Sequence, residues 1–105
     1  MKRLDVGAAV LPHGVVSPAS IVFDAGSVVG AGTPTDVGET PGVDTVDRPE
    51  LTAVPGFVDL QVNGVDGVHL PTADGDGWEL VGNRLLAAGV TAFCPAVVST
   101  AEPYP

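Results

Sequence analysis

Apolar residues along this chain fall into short runs, and each run is closed by residues that favour turns. Leu4 to Leu11 reads as a strand that stops at Pro12-His13-Gly14. Ser20-Ile21-Val22-Phe23 and Ser27-Val28-Val29-Gly30 flank Asp24-Ala25-Gly26. A three-residue loop with Gly in the left-handed position joins such strands as a hairpin. Thr33 to Gly42 holds two Pro and two Gly and reads as an exposed loop. Val43 to Val46 and Leu51 to Val54 predict two further short strands. Together these predict a small antiparallel β unit over residues 1–54.

The pattern changes at Pro55. Phe57 to Val62 is apolar on both faces, which suits a strand buried in a parallel sheet. Asn63 to Asp76 is too long for a simple connector and reads as a loop. Asp76-Gly77-Trp78-Glu79 has capping-box spacing, with Asp76 at the N-cap. The helix that follows sets Leu80, Val81, Leu85, Leu86 and Ala88 on one broad face. Gly89 is placed to stop it, and Val90 to Val98 predicts a second strand. The order β–α–β predicts parallel strands joined by a right-handed crossover. Two parallel strands and one helix cannot cover both faces of a sheet. Ser99-Thr100-Ala101-Glu102-Pro103 then carries a helix-start signature just before the sequence stops. The expected fold class is therefore α/β. Residues 55–105 form the opening β-α-β of an incomplete (β/α)8 barrel, a fold of about 250 residues. Uncovered apolar faces on its two strands predict poor solubility unless a partner covers them.

Composition narrows the picture. The chain has 14 Gly and 10 Pro in 105 residues, about twice the usual share of roughly 12%. They are aperiodic and interleaved with Val-rich runs, which points to many short strands rather than disorder. Thirteen acidic residues against four basic ones give a net charge of −9. Lys2, Arg3, Arg48 and Arg84 do not cluster, which argues against nucleic acid or an anionic membrane as partner. A phosphorylated substrate would need its cationic contacts from outside this segment. No apolar stretch of signal-peptide length follows Met1-Lys2-Arg3, and no run approaches the roughly 20 apolar residues that span a bilayer. Cys94, the one cysteine, lies in an apolar run and is expected in the core. A lone thiol fits a reducing compartment, so a cytoplasmic location is the default.

Candidate chemistry concentrates in Pro55-Gly56-Phe57-Val58-Asp59-Leu60-Gln61-Val62-Asn63-Gly64. Gln61 and Asn63 are two apart, so a regular strand presents them on one face. They stand at the C-terminal end of the strand, where barrel folds build active sites. Gly64 lets the backbone turn tightly behind them. Carboxamides there could orient a water, a substrate amide or a metal-bound ligand without carrying charge. On spacing alone they equally suit two polar residues capping a turn. Amide oxygens are poor zinc ligands compared with imidazole. Asp59 reads either as a buried acid bonded to backbone or as a partly solvated strand residue. His69 and His13 read as surface residues, and Trp78 as packing at the start of the helix.

Pro-Gly-Phe-Val-Asp followed by two polar residues spaced by one resembles the first barrel strand of the amidohydrolase superfamily. Most members carry His-x-His there, binding a divalent metal, where this chain has Gln61-Val62-Asn63. Gln-x-Asn-Gly with a following Gly-rich loop, here Val65-Asp66-Gly67-Val68, is similar to one branch, the N-acetylglucosamine-6-phosphate deacetylases. The resemblance runs on through Ala88-Gly89-Val90-Thr91 and Val97-Val98-Ser99-Thr100. It implies that residues 1–54 are part of a β-sandwich and that the chain is the N-terminal part of a longer hydrolase. Gln61, Asn63 and Gly64 would then line the active site, with no catalytic residue in the chain itself. The resemblance further implies a divalent metal, zinc or similar, in the full-length enzyme. A Glu, two His and a general-base Asp would all lie downstream. Its substrate would be a phosphorylated amino sugar, cleaved to acetate and glucosamine 6-phosphate, and the full-length enzyme would be a homo-oligomer. Two alternatives stand beside this: a different amidohydrolase, and a non-catalytic β module used for interaction.

Overall fold

The structure, a computed structural model, describes residues 1–98. The helix-start signature at residues 99–103 lies outside the described residues. The chain divides into two compact units, the first Met1–Pro55 and the second beginning at Gly56.

The first unit is a five-stranded sheet. Its strands are β1 (Lys2–Leu11), β2 (Gly14–Val16), β3 (Ala19–Asp24), β4 (Ser27–Gly32) and β5 (Asp44–Ala53). Strand β1 pairs antiparallel with β2 through residues 9–11 and with β3 through residues 2–6. Strand β4 pairs antiparallel with β3. Ala25 and Gly26, both at positive φ, form the turn between them, and Asp24 pairs with Ser27. The loop thus has two residues rather than the three expected. Paired positive φ values match the right-handed twist of the flanking strands.

Two further expectations for this unit need correction. Residues 44–53 form one ten-residue strand, not two short ones, and it runs parallel to β1. Pro49, which cannot donate to a ladder, lies between the two expected runs. The strand absorbs it as a bulge, so the register steps from Val6–Arg48 to Ala8–Thr52. Gly7 lies opposite, where a Cβ would come 2.2 Å from the Pro49 carbonyl oxygen. The Thr33–Gly42 segment is not all loop. Pro34–Val37 forms one helical turn, α1, closed by a reciprocal capping box between Thr33 and Asp36. Proline at the first helical position gives up no hydrogen bond, which is why the helix tolerates it there.

Val6, Ala9 and Ala19 make the buried core, with Leu4, Leu11, Val16, Ile21 and Ala53 packed against it. Beside them runs a polar network. Ser20 is fully buried, and its hydroxyl donates to the Asp5 carboxylate. Arg3 donates from Nε to Asp5 at 2.8 Å, from Nη2 to Ser20 Oγ at 2.8 Å and from Nη1 to the Gly38 carbonyl at 2.7 Å. Burial pushes the Asp5 carboxyl up. The Ser20 and Arg3 hydrogen bonds and the guanidinium charge outweigh it and hold the carboxyl below its ordinary value.

The second unit contains β6 (Phe57–Val62), β7 (Gly64–Val65), β8 (Val68–His69), a 3-10 turn at Leu70–Thr72, α2 (Gly75–Ala87) and β9 (Val90–Pro95). Strands β6 and β9 are parallel, with α2 between them in sequence. Strands β7 and β8 form a separate antiparallel hairpin. Val62, Leu70 and Val81 are buried, with Val65, Val68, Leu85 and Phe93 against them.

Here the N-cap of α2 is Asp74, not Asp76. Its carboxylate accepts the Gly77 N–H at 2.9 Å. Asp76 already lies in the first helical turn, where its charge complements the helix dipole. Strand β9 ends at Pro95 rather than Val98, though the Ala96 N–H still donates to the Val62 carbonyl at 2.8 Å. Cys94, expected in the core, is exposed. Its neighbour Phe93 packs on the core cluster, and strand alternation turns the next side chain away.

Candidate functional site

Strand β6 does not end as a regular strand. Asp59 pairs with Phe93 and Val62 with Pro95, so β6 spends three steps where β9 spends two. The extra residue is a bulge, which leaves a backbone group without its ladder partner. The Gln61 N–H is satisfied locally, donating to Asp59 Oδ1 at 3.1 Å. Half-buried Asp59 is therefore a backbone acceptor that steadies the strand end.

Val62 is buried in the core, while Gln61 and Asn63 on either side of it are exposed. The Asn63 carbonyl accepts the Leu70 N–H at 2.9 Å, which closes the segment between them into a loop. Within it Gly64 pairs with His69 and Val65 with Val68. Asp66 and Gly67 form the two-residue turn, at φ 50° and 81°. Gly64 itself sits at φ 155°, and a Cβ there would fall 1.8 Å from the Val68 carbonyl oxygen. No side chain fits that position with the hairpin closed. Arg84 of α2 reaches the turn, its Nε 2.6 Å from Asp66 Oδ2.

The folded-back hairpin leaves an open concavity of about 360 Å³ lined by Asn63, Gly64, Val65, Gly67, Val68 and His69. Asn63 and Gly64 thus lie together in it, and Gln61 lies outside its lining. His69, read from the sequence as a surface residue, is exposed but lines the same hollow as Asn63. The signal that could have found it is Asp66-Gly67 between two valines, a strong hairpin mark that folds residue 69 back opposite residue 64. The hairpin, the 3-10 turn and the start of α2 at Gly75 correct the expectation of a plain loop from Asn63 to Asp76.

Among the described residues no three His, Cys, Asp or Glu side chains converge to hold a metal ion. Asp59 is engaged by the Gln61 N–H and Asp66 by Arg84, and with carboxamides and a single imidazole otherwise near the strand end this segment does not fit a divalent metal.

No family profile matches the chain. It is 49% identical to N-acetylglucosamine-6-phosphate deacetylase from Rattus norvegicus over 49 residues, 44% of this chain and 12% of that protein. It is 42% identical to the Caenorhabditis elegans enzyme of the same name over 66 residues, 56% of this chain and 16% of that protein. Among solved structures, N-acetyl-D-glucosamine-6-phosphate deacetylase from Mycobacterium smegmatis superposes with a TM-score of 0.77 at 23% identity, covering 93% of this chain and 27% of that one. A second structure of that enzyme, in complex with N-acetyl-D-glucosamine-6-phosphate, gives 0.72 at 20% identity, covering 94% and 25%. At these identities the structures establish a likeness of fold. The chain spans between 12% and 16% of the length of these two curated relatives.

Proposed function

We propose that this chain is the N-terminal part of an N-acetylglucosamine-6-phosphate deacetylase. The observation that carries the reading is the 49% identity over 49 residues to the Rattus norvegicus enzyme. The fold likeness to the Mycobacterium smegmatis enzyme over 93% of the chain is consistent with it. Neither alternative, a different amidohydrolase or an interaction module, draws comparable support.

In this reading residues 1–54 belong to a β-sandwich and residues 55–105 open a (β/α)8 barrel. The enzyme adds water across the acetamide of a phosphorylated amino sugar, releasing acetate and glucosamine 6-phosphate. A divalent metal would supply polarisation of the acetamide and of water. Its ligands would come from outside the described residues, as would the cations that grip the phosphate. What this chain contributes is shape and hydrogen bonding. Asn63 and Gln61 present neutral donors and acceptors at the strand end. Gly64 keeps the backbone close behind them, and Asp59 fixes the strand end by holding the Gln61 N–H. The full-length enzyme is read as a cytoplasmic homo-oligomer.

A chimera tests this. Residues 1–105 replace the corresponding N-terminal segment of the Mycobacterium smegmatis deacetylase. The chimera is expected to release acetate from N-acetylglucosamine 6-phosphate, while the 105-residue chain alone releases none. Asn63→Ala in the chimera is expected to lower kcat/KM on the order of 10²-fold, as loss of one positioned hydrogen-bonding group does in other sites. A soluble, folded chimera without acetate release would overturn the proposal.

A further inference from the structure

We infer that Arg84 and Asp66 form a strap that holds the β7–β8 hairpin against α2, and so fixes the strand end that carries Asn63. The hairpin is too small to hold itself. Each strand has two residues, and an isolated two-stranded ribbon is marginal in water. Val65 and Val68 pack on the core, and the Leu70 N–H closes on the Asn63 carbonyl. The turn at the tip is tied by one further contact, Arg84 Nε to Asp66 Oδ2 at 2.6 Å. Arg84 stands three residues beyond Val81, which is fully buried, so the guanidinium springs from the best-anchored part of the helix.

Chemistry at residue 66 separates the strap from the turn. A two-residue turn with both φ values positive accepts Asn as readily as Asp. Asp66 is therefore not needed for the turn, and its charge is free to serve Arg84. Both side chains are about half exposed or more, at 64% and 49%. The pair is thus weak and sensitive to salt. Arg84 and Asp66 are positioning residues, acting on Asn63 through the hairpin. Only the benefit to catalysis rests on the deacetylase reading; the strap itself does not.

Amide hydrogen exchange on the 105-residue chain, followed by mass spectrometry over residues 63–70, tests it without reference to activity. Asp66→Asn and Arg84→Gln are each expected to speed exchange of the Leu70 amide roughly two- to fivefold, the range of a single exposed ion pair. The double variant is expected to match either single one, as for two groups acting through one contact. Arg84→Lys is expected to recover part of the protection. Raising salt to about 1 M, where the Debye length is about 3 Å, is expected to speed exchange in the wild type and leave Asp66→Asn unchanged. The salt comparison needs no variant of the helix, so it stands even if Arg84→Gln unfolds. Additive effects, or wild-type exchange indifferent to salt, would overturn the strap.

Discussion

At the scale of single residues, the chain's most consequential polar group outside the candidate site is Asp5. Its carboxyl sits in the sheet with Ser20 and Arg3 as donors and is held below the ordinary value of 3.8. A carboxylate with a depressed folded-state pKa stabilises the fold above its unfolded-state value, and that contribution fades as pH falls through the folded value. We expect the stability difference between wild type and Asp5→Asn, from urea midpoints, to be constant above about pH 5 and to shrink below pH 3.8. Asp36, also held low, first by its hydrogen bonds from Thr33, is common to both proteins and cancels. A difference that grows on acidification would contradict this assignment. None of the network was legible in the sequence. Arg3, Asp5 and Ser20 carry no motif, and only the pairing of β1 with β3 brings them together.

At the scale of elements, local signals succeeded where one rule decided and failed where two competed. Asp74 and Asp76 both precede an apolar helical pattern, and spacing to Glu79 favoured the wrong one. The structure chooses Asp74 by its bond to the Gly77 N–H. Asp74→Ala is expected to cost about 1 kcal/mol of stability, the usual worth of an N-cap side chain. Asp76→Ala is expected to cost less, about 0.3–1 kcal/mol through the dipole alone. Thermal unfolding by circular dichroism distinguishes them, and equal losses would return the cap to Asp76. The Asp66-Gly67 hairpin is legible only in its turn dipeptide, because two-residue strands are too short to show alternation. The strand end was half legible. The pair Gln61 and Asn63 stood out by spacing, but the bulge at residues 60–61 that breaks their regularity leaves no mark in composition.

At the scale of the whole molecule, the β-rich character and the parallel β6–β9 pair followed from the hydrophobic pattern and from element order. Direction of β5 did not, because alternation with period two is the same for parallel and antiparallel neighbours. The pattern also marked β6 as apolar on both faces. Phe57, Val58 and Leu60 of that strand are 59%, 61% and 76% exposed. Apolar strand faces of this kind associate. Sedimentation velocity is expected to show concentration-dependent self-association of the 105-residue chain. Val58→Lys with Leu60→Lys is expected to reduce it, and a monomer at every concentration would refute the point.

The parallel pairing of β1 with β5 also orders events in time. Strand β1 is made before β2, β3 and β4, which can join it as each follows. Its remaining flank waits for Asp44–Ala53. Until those residues emerge, a row of bare amides and carbonyls is offered to any extended peptide nearby. A nascent chain stalled short of Asp44 would be a natural client for chaperones that bind unpaired strands, and release from them would coincide with translation of β5.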